Sequence, residues 1–340
     1  MRRSKMSSKK GYLAGDIGGT NTRLILFTVA GEEITRIKDQ KFPSRNYAGL
    51  IPIVREFLSD SPSPSVSVAC FGIAGPVQHG KTHTTNLLWD VDTKIVSREL
   101  AIDSVSLMND LEANAYGLRM LSEGEFCVLQ KGDPEPRNNQ AILSVGTGLG
   151  EAGIYYDGKE HRPFACEGGH TDFAARSESE DDLLKYLRKR FAHVSYERIL
   201  SGLGLCSLHA FLVYTGREKE SPDVLRRMEV EGGARIIVEL GMKGMSNACV
   251  RALELFASIC GAEAGNVALK FFALGGVFIG GGIPPRVLPF LKERGFMEGF
   301  LRKGRFRGLL ERIPVKLVLN DETALLGAMH CCMHPPSHPS

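Results

Sequence analysis

Glu167-Gly168-Gly169-His170 sets a carboxylate and an imidazole on either side of two glycines, shortly before an acidic helix start. Those two side chains suit hydrogen bonding to the hydroxyls of a polyol, and the glycines let backbone approach the same ligand. Asn109-Asp110 ends an apolar run and opens a helix. A carboxylate at the C-terminal end of a strand stands where open α/β sheets place their ligands. In phosphoryl transfer such a group accepts the proton of the attacking hydroxyl and orients it in line. Asn109 beside it can hydrogen-bond a hydroxyl both ways. Asp110 reads equally as a helix N-cap, and Asn320-Asp321 repeats the local sequence, so local sequence does not choose between the two aspartates.

Two glycine turns suit a phosphate chain, which needs close backbone approach and N–H donors. Gly15-Asp16-Ile17-Gly18-Gly19-Thr20 is the first, with the Thr20 hydroxyl as a further donor, and Gly146-Thr147-Gly148-Leu149-Gly150 is the second, with Thr147. Asp16 would repel phosphate unless a cation intervenes, which makes it a candidate to orient Mg²⁺ directly or through water. Otherwise it is a turn aspartate bonding its own backbone. Glu197, in Ser195-Tyr196-Glu197-Arg198, offers another acceptor, or is an exposed helix-start glutamate near Arg198. Together these residues describe a site that holds a polyhydroxyl ligand, removes one proton and faces a nucleotide phosphate.

Other chemistries fit less well. Gly75-Pro76-Val77-Gln78-His79-Gly80-Lys81-Thr82 satisfies the P-loop pattern, but a P-loop opens a helix at its Lys-Thr and the residues that follow are β-branched and extended in character. A glycosidase pair lacks a second carboxylate at fixed spacing. Cys166 and His170 lack partner ligands at zinc-finger spacing.

The elements that must position these groups alternate strand and helix. Residues 12–30 read as strand, glycine turn, strand; 49–58 as helix; 66–74 as strand; 93–100 as helix; 105–108 as strand; and 111–121 as helix. A second cycle begins with strands at 141–145 and 152–156, followed by a helix at 177–191 capped by Ser177 or Ser179. Helices dominate 202–272, the last of them a long Ala/Leu-rich run interrupted by Gly261 and Gly265. Strands at 277–279 and 315–319 and a helix at 322–332 complete the chain. The cycles echo one another: a glycine turn between strands, then an Asn-Asp before a helix, occurs twice in the same order.

The bulk numbers set bounds. At 340 residues the chain can bury a large core, and size favours two domains or one large one. A net charge of +3, from 42 basic and 39 acidic residues, is too small a bias to argue for nucleic acid. No apolar run reads as approaching the length of a membrane span. The basic, polar segment 1–10 lacks a signal-peptide core, and 334–340 is not the Ser-Lys-Leu address; both read as flexible tails. None of the eight cysteines forms a C-x-x-C pair, which predicts reduced thiols in a cytoplasmic protein.

From about Leu13 to Met329 the chain resembles the bacterial-type glucokinases, the group distinct from the repressor/kinase family with its zinc-binding cysteine motif. The resemblance rests on the two glycine turns with Asn21, Gly72-Ile73-Ala74-Gly75-Pro76-Val77, Thr85-Asn86 with Trp89, Asn109-Asp110, and Gly280-Gly281-Gly282-Ile283. Its most specific blocks are Glu167-Gly168-Gly169-His170 and Tyr196-Glu197-Arg198-Ile199-Leu200-Ser201-Gly202. It implies an α/β, two-domain actin-like ATPase (ribonuclease H-like) fold with an interdomain cleft. The small domain would span 11–119 and be completed by the helix at 320–333, with 120–319 as the large domain.

The resemblance further implies transfer of the γ-phosphate of ATP to the 6-hydroxyl of D-glucose, feeding glycolysis. Asp110 would be the base, and Asn109, Asp110, Glu167, His170, Glu197 and Asn86 would bind the sugar. Gly15, Asp16, Ile17, Gly18, Gly19, Thr20, Gly146, Thr147 and Gly148 would hold the phosphates, with Mg²⁺ at Asp16 and Gly281 near the adenosine. Asp321 would be a structural cap of the last helix. Members are often homodimers, and neither nucleic acid nor membrane is an expected partner. Rival readings are a kinase for another hexose, which a panel of sugars separates, and a sugar sensor. The sensor would usually need a DNA-binding arm, for which the residues before Gly11 are too few.

Overall fold

A computed structural model describes residues 10–59, 65–84 and 87–335. The segments 1–9 and 336–340, which hold most of the two expected tails, lie outside the described residues. The chain divides into two compact units, one formed by 1–121 with 322–340 and the other by 122–321.

The first unit is built on strands β1 (Gly11–Ile17), β2 (Asn21–Ala30), β3 (Glu33–Pro43) and β4 (Val66–Ile73). A small hairpin of β5 (Lys81–His83) and β6 (Asp90–Asp92) follows, and then β7 (Ser104–Asn109). The main sheet runs β3-β2-β1-β4-β7, antiparallel from β1 through β3 and parallel across β1, β4 and β7. Alternation explains why it is buried on both faces. Leu13, Ile17, Leu24, Leu26 and Phe71 enter one core, with Phe57 of the helix Leu50–Ser59. Ala14, Ile25, Phe27 and Cys70 enter the other, against the C-terminal helix Thr323–Met333.

The second unit carries β8 (Phe126–Gln130), β9 (Gln140–Val145), β10 (Leu149–Tyr156), β11 (His161–Cys166), β12 (Gly276–Gly280) and β13 (Val315–Val318). Its sheet runs β11-β10-β9-β12-β13-β8. Strands β9 to β11 are antiparallel and β9, β12 and β13 are parallel, so the first five repeat the order and sense of the first unit. The two-cycle echo in the sequence is thus a repeat of topology. Strand β8 is an added antiparallel edge.

The core of this second unit surrounds the helix Asn247–Lys270, which Ser246 caps. Gly261 and Gly265 do not interrupt it, contrary to the sequence expectation. A Cβ on Gly261 would lie 1.9 Å from Phe296 O and one on Gly265 2.6 Å from Phe300 O, so both admit the backbone of the helix Phe296–Leu301. A second expectation also needs correcting. This helix has 24 residues and a mean hydropathy of 1.2 over its most apolar stretch, long and apolar enough to cross a membrane. In the fold, 72% of that stretch is buried inside the protein.

Three further local readings are decided. Lys81 and Thr82 lie in β5, and Lys81 pairs with Asp92 at 3.0 Å, so no helix opens where a P-loop requires one. Ser177 rather than Ser179 caps the helix Glu178–Arg188. Asp321 is not the cap of the C-terminal helix; Glu322 holds that position and makes no side-chain cap bond. The Glu322 carboxylate is committed to Arg23 at 2.5 Å and Arg36 at 3.1 Å on the sheet.

The C-terminal helix lies against the helix Asp110–Gly117 at backbone distance. A Cβ on Gly327 would fall 1.7 Å from Ala113 O, and one on Gly117 would fall 1.9 Å from Thr323 O. Alanine at a helical glycine ordinarily gains about 1 kcal/mol of helix propensity. Here the added methyl meets a carbonyl that cannot swing aside, so Gly327→Ala should lower stability by about 2 kcal/mol on balance. Gly308→Ala, where nothing lies within 4 Å, should be neutral or slightly stabilising. Chemical denaturation of the two variants checks this; equal midpoints would contradict the packing argument.

Candidate active site

In the first unit, Asp110 is the opening residue of its helix and stands directly after β7. Asn109 is the N-cap. Its Oδ1 accepts Leu111 N–H at 2.8 Å, its backbone N–H donates to Glu112 Oε2 at 3.0 Å, and its Nδ2 donates to Gly75 O at 3.1 Å. The capping box therefore fixes the helix start, and the amide ties it to the turn after β4. The Asn109 oxygen is taken up by the Leu111 and Glu112 N–H groups, so one N–H of its amide remains for a ligand. Asp110 Oδ1 accepts the Leu111 N–H at 3.0 Å, and the residue is half-buried at a helix N-terminus, where the peptide dipoles favour negative charge. Asn86, expected to contact the sugar, lies outside the described residues, as does Thr85.

The first glycine turn is shorter than its sequence suggests. Gly15, Asp16 and Ile17 belong to β1, and Ile17 is core. A Cβ on Gly15 would meet the Phe71 ring at 2.6 Å, so this glycine serves sheet packing. The turn proper is Gly18-Gly19-Thr20, closed by Gly18 N–H on Asn21 O at 2.9 Å and braced by Ser44, whose hydroxyl donates to Gly18 O at 2.8 Å. Burial pushes the Asp16 carboxyl up to about 6, against the opposing pull of Arg23 and Lys41.

In the second unit, Glu167 leads a single 3₁₀ turn, Gly168–His170. Both candidate side chains are exposed, and His170 Nε2 lies 3.9 Å from Glu167 Oε2. The segment that follows pairs with the one carrying Glu197: Phe173 N–H donates to Val194 O at 3.0 Å and Tyr196 N–H to Thr171 O at 3.1 Å. Glu197 turns toward the second glycine turn and accepts the Leu149 N–H at 3.1 Å. A Cβ on Gly148 would lie 2.5 Å from its Oε2. Gly202 N–H donates to Gly146 O at 3.0 Å, which ties the start of the helix Gly202–Tyr214 to the same turn. Thr147 is exposed at its tip. Gly281, at φ +92°, lies where any Cβ would be 2.3 Å from Val145 O, on the strand that enters the turn. The structure thus brings Glu167, His170, Glu197, the second glycine turn and Gly281 into one neighbourhood.

Sequence reasoning missed one residue here. Glu151, two positions into β10, is 1% exposed, and its Oε1 has no hydrogen-bond partner among the described residues. Its Oε2 would lie 1.9 Å from a Cβ on Gly168. A lone carboxylate between Gly150 and Ala152, in a strand otherwise apolar through Ile154, was the available signal.

Comparison with known proteins identifies the family. Residues 13–335 match the family model described as glucokinase. A glucokinase of Nostoc sp. (strain PCC 7120) is 39% identical over 334 residues, covering 94% of this chain and 98% of the relative. The crystal structure of a glucokinase from an Antarctic psychrotroph is 32% identical, with a TM-score of 0.82 over 96% of this chain and 99% of its own. A glucokinase from Balamuthia mandrillaris, solved in complex with glucose, has a TM-score of 0.79 over 97% of this chain and 95% of its own; at 21% identity it speaks for the fold alone. The fold is the two-unit actin-like ATPase fold, and the chain belongs to the glucokinase family.

Proposed function

We propose that this chain transfers the γ-phosphoryl group of ATP to the 6-hydroxyl of D-glucose, giving D-glucose 6-phosphate and ADP. The observation that carries the reading is Asp110 itself: a carboxylate held after a parallel strand by the Asn109–Glu112 capping box, in a chain of this family. Asp110 takes the proton of the attacking hydroxyl and fixes its direction. Asn109 offers its remaining N–H to the sugar, while Glu167 and His170 present exposed polar groups from a turn that buries Gly169. Glu197 binds the sugar with one oxygen and the Leu149 N–H with another lone pair. The phosphates lie on the amides of Gly18, Gly19 and Thr20 and on those of Gly146, Thr147 and Gly148, with Gly281 beside the adenosine. Gly15 and Ile17 act by holding Asp16 in β1.

A divalent cation fits Asp16. The carboxyl is half-buried, and its two basic neighbours do not offset the burial, so the local charge balance has room for a hard cation. Mg²⁺ bound there would neutralise charge on the transferring phosphates. The eight cysteines are free, which suits work in the reducing cytoplasm, where the product feeds glycolysis. A homodimer is the proposed assembly.

Replacing Asp110 with Ala should lower kcat by about 10²–10⁴-fold while glucose binding remains measurable by calorimetry. Near-normal turnover would remove Asp110 from the base role. The substitution His170→Ala should raise the glucose KM about ten-fold with a smaller change in kcat, the loss of one ligand hydrogen bond. An unaltered KM would contradict that contact. Because Glu197 also holds the glycine turn, Glu197→Ala should raise the KM for glucose and for ATP together. Steady-state kinetics with each substrate varied in turn distinguishes this from a change in the glucose KM alone, which would deny the link to the turn.

A further inference from the structure

The turn that presents Glu167 and His170 is secured at its two ends, where Cys166 pairs with Glu151 and Tyr196 N–H donates to Thr171 O, and needs support between them. Its internal bonds, His170 N–H to Glu167 O at 3.0 Å and Thr171 N–H to Gly168 O at 3.0 Å, shape it without attaching it. Attachment comes from below. Gly169 lies so close to Leu149 that a Cβ would be 2.1 Å from its carbonyl oxygen, and Gly168 rests on the Glu151 carboxyl. Glu151 lies beside the fully buried Glu263 of the core helix Asn247–Lys270.

Two carboxyls side by side in a core cannot both ionise cheaply. Glu263 is the member that has donors: Asn266 Nδ2 at 2.7 Å and Lys270 Nζ at 3.5 Å. Asn266 Nδ2 also reaches Tyr196 OH at 2.9 Å, next to Glu197. Glu151 is the member whose Oε1 finds none among the described residues. A proton on Glu151 turns this contact from repulsion into a hydrogen bond. From the core helix, Glu263 and Lys270 face Glu151, with Cys260 near both carboxyls; from the end of β11 comes Cys166. Tyr196 and Lys303 face Glu263 from its other side.

We propose that Glu151 is a positioning residue for the sugar-binding turn: its protonated carboxyl fills the space beneath Gly168 and, bonded to Glu263, ties the turn to the core helix. The inference rests on the function assigned to that turn above. Burial, reinforced by Glu263, pushes the Glu151 carboxyl up to about 8, outweighing Lys270. The folded state therefore holds this proton more tightly than the unfolded chain does. Its stabilising contribution is complete below the ordinary glutamate range, declines as pH rises and is gone above about 8. At neutral pH the turn is anchored. At pH 9 an ionised Glu151 lies beneath it.

The test follows glucose KM and kcat from pH 6.5 to 9.5 in the wild type, Glu151→Gln and Glu151→Ala, with hydrogen exchange of the amides at 167–171 as a readout that needs no substrate. In the wild type, KM should rise above pH 8 more than kcat changes, and exchange should speed up beyond its intrinsic pH dependence. Glutamine reproduces the neutral acid, so Glu151→Gln should hold KM at pH 9 within about two-fold of its neutral value and keep the turn protected. Glu151→Ala should raise KM about ten-fold already at pH 7. An alkaline rise in KM, or loss of protection, that is the same in Glu151→Gln as in the wild type would overturn the proposal. So would unaltered exchange in Glu151→Ala. A wild type that phosphorylates no hexose, yet shows pH-dependent exchange abolished in Glu151→Gln, would retain the positioning role and defeat the functional reading instead.

Discussion

Close approach at positions without a Cβ is the constraint on which the rest of this structure depends. At Gly117 and Gly327 the Asp110 helix and the C-terminal helix meet backbone to backbone. At Gly168, Gly148 and Gly281 the neighbours are a glutamate carboxyl, a second glutamate carboxyl and a strand backbone. In each case a candidate site group is fixed by something pressing into the space a side chain would need. A protein interior is close-packed, so a group held this way moves only if its neighbour moves. That property suits residues that must meet a small polar ligand with little error.

The two units solve one positioning problem with one topology. Each begins with antiparallel strands whose first turn carries glycines, continues in parallel strands, and ends its repeat at an Asn-Asp pair. The pairs then diverge in use. Asn109 caps its helix and leaves Asp110 at the helix start, whereas Asn320 donates to Glu125 and the helix that follows begins at Thr323 under a Glu322 committed to two arginines. Identical dipeptides thus acquire different surroundings, and only those surroundings distinguish them.

What the sequence reveals follows from burial. Strands β1, β4, β9 and β12 are legible because apolar side chains fill both faces. Strands β3 and β11 are edges: Glu33–Pro43 is mostly exposed and carries charges along its length, and His161–Cys166 contains Pro163. Such segments lack the two-sided apolar run that marks a strand. At the site, Glu167, His170 and the glycine turns stand out because their residue types sit at close sequence spacing. Glu151 does not, because its partners Gly168 and Glu263 are far along the chain. Gly261 and Gly265 mislead for a related reason: from sequence alone, a glycine that admits a neighbouring helix looks the same as one that breaks its own.

The central claim is that these residues direct a single hydroxyl of the sugar at the transferred phosphoryl group. The most direct measurement is the identity of the phosphorylated product formed from ATP, Mg²⁺ and a mixture of glucose, mannose, fructose and N-acetylglucosamine, resolved by phosphorus and carbon NMR. The account predicts glucose 6-phosphate as the dominant product, with no phosphate at other hydroxyls. A different hexose phosphate, or phosphate at another position, would contradict the assignment of Asn109, Glu167, His170 and Glu197 as the residues that orient glucose toward Asp110.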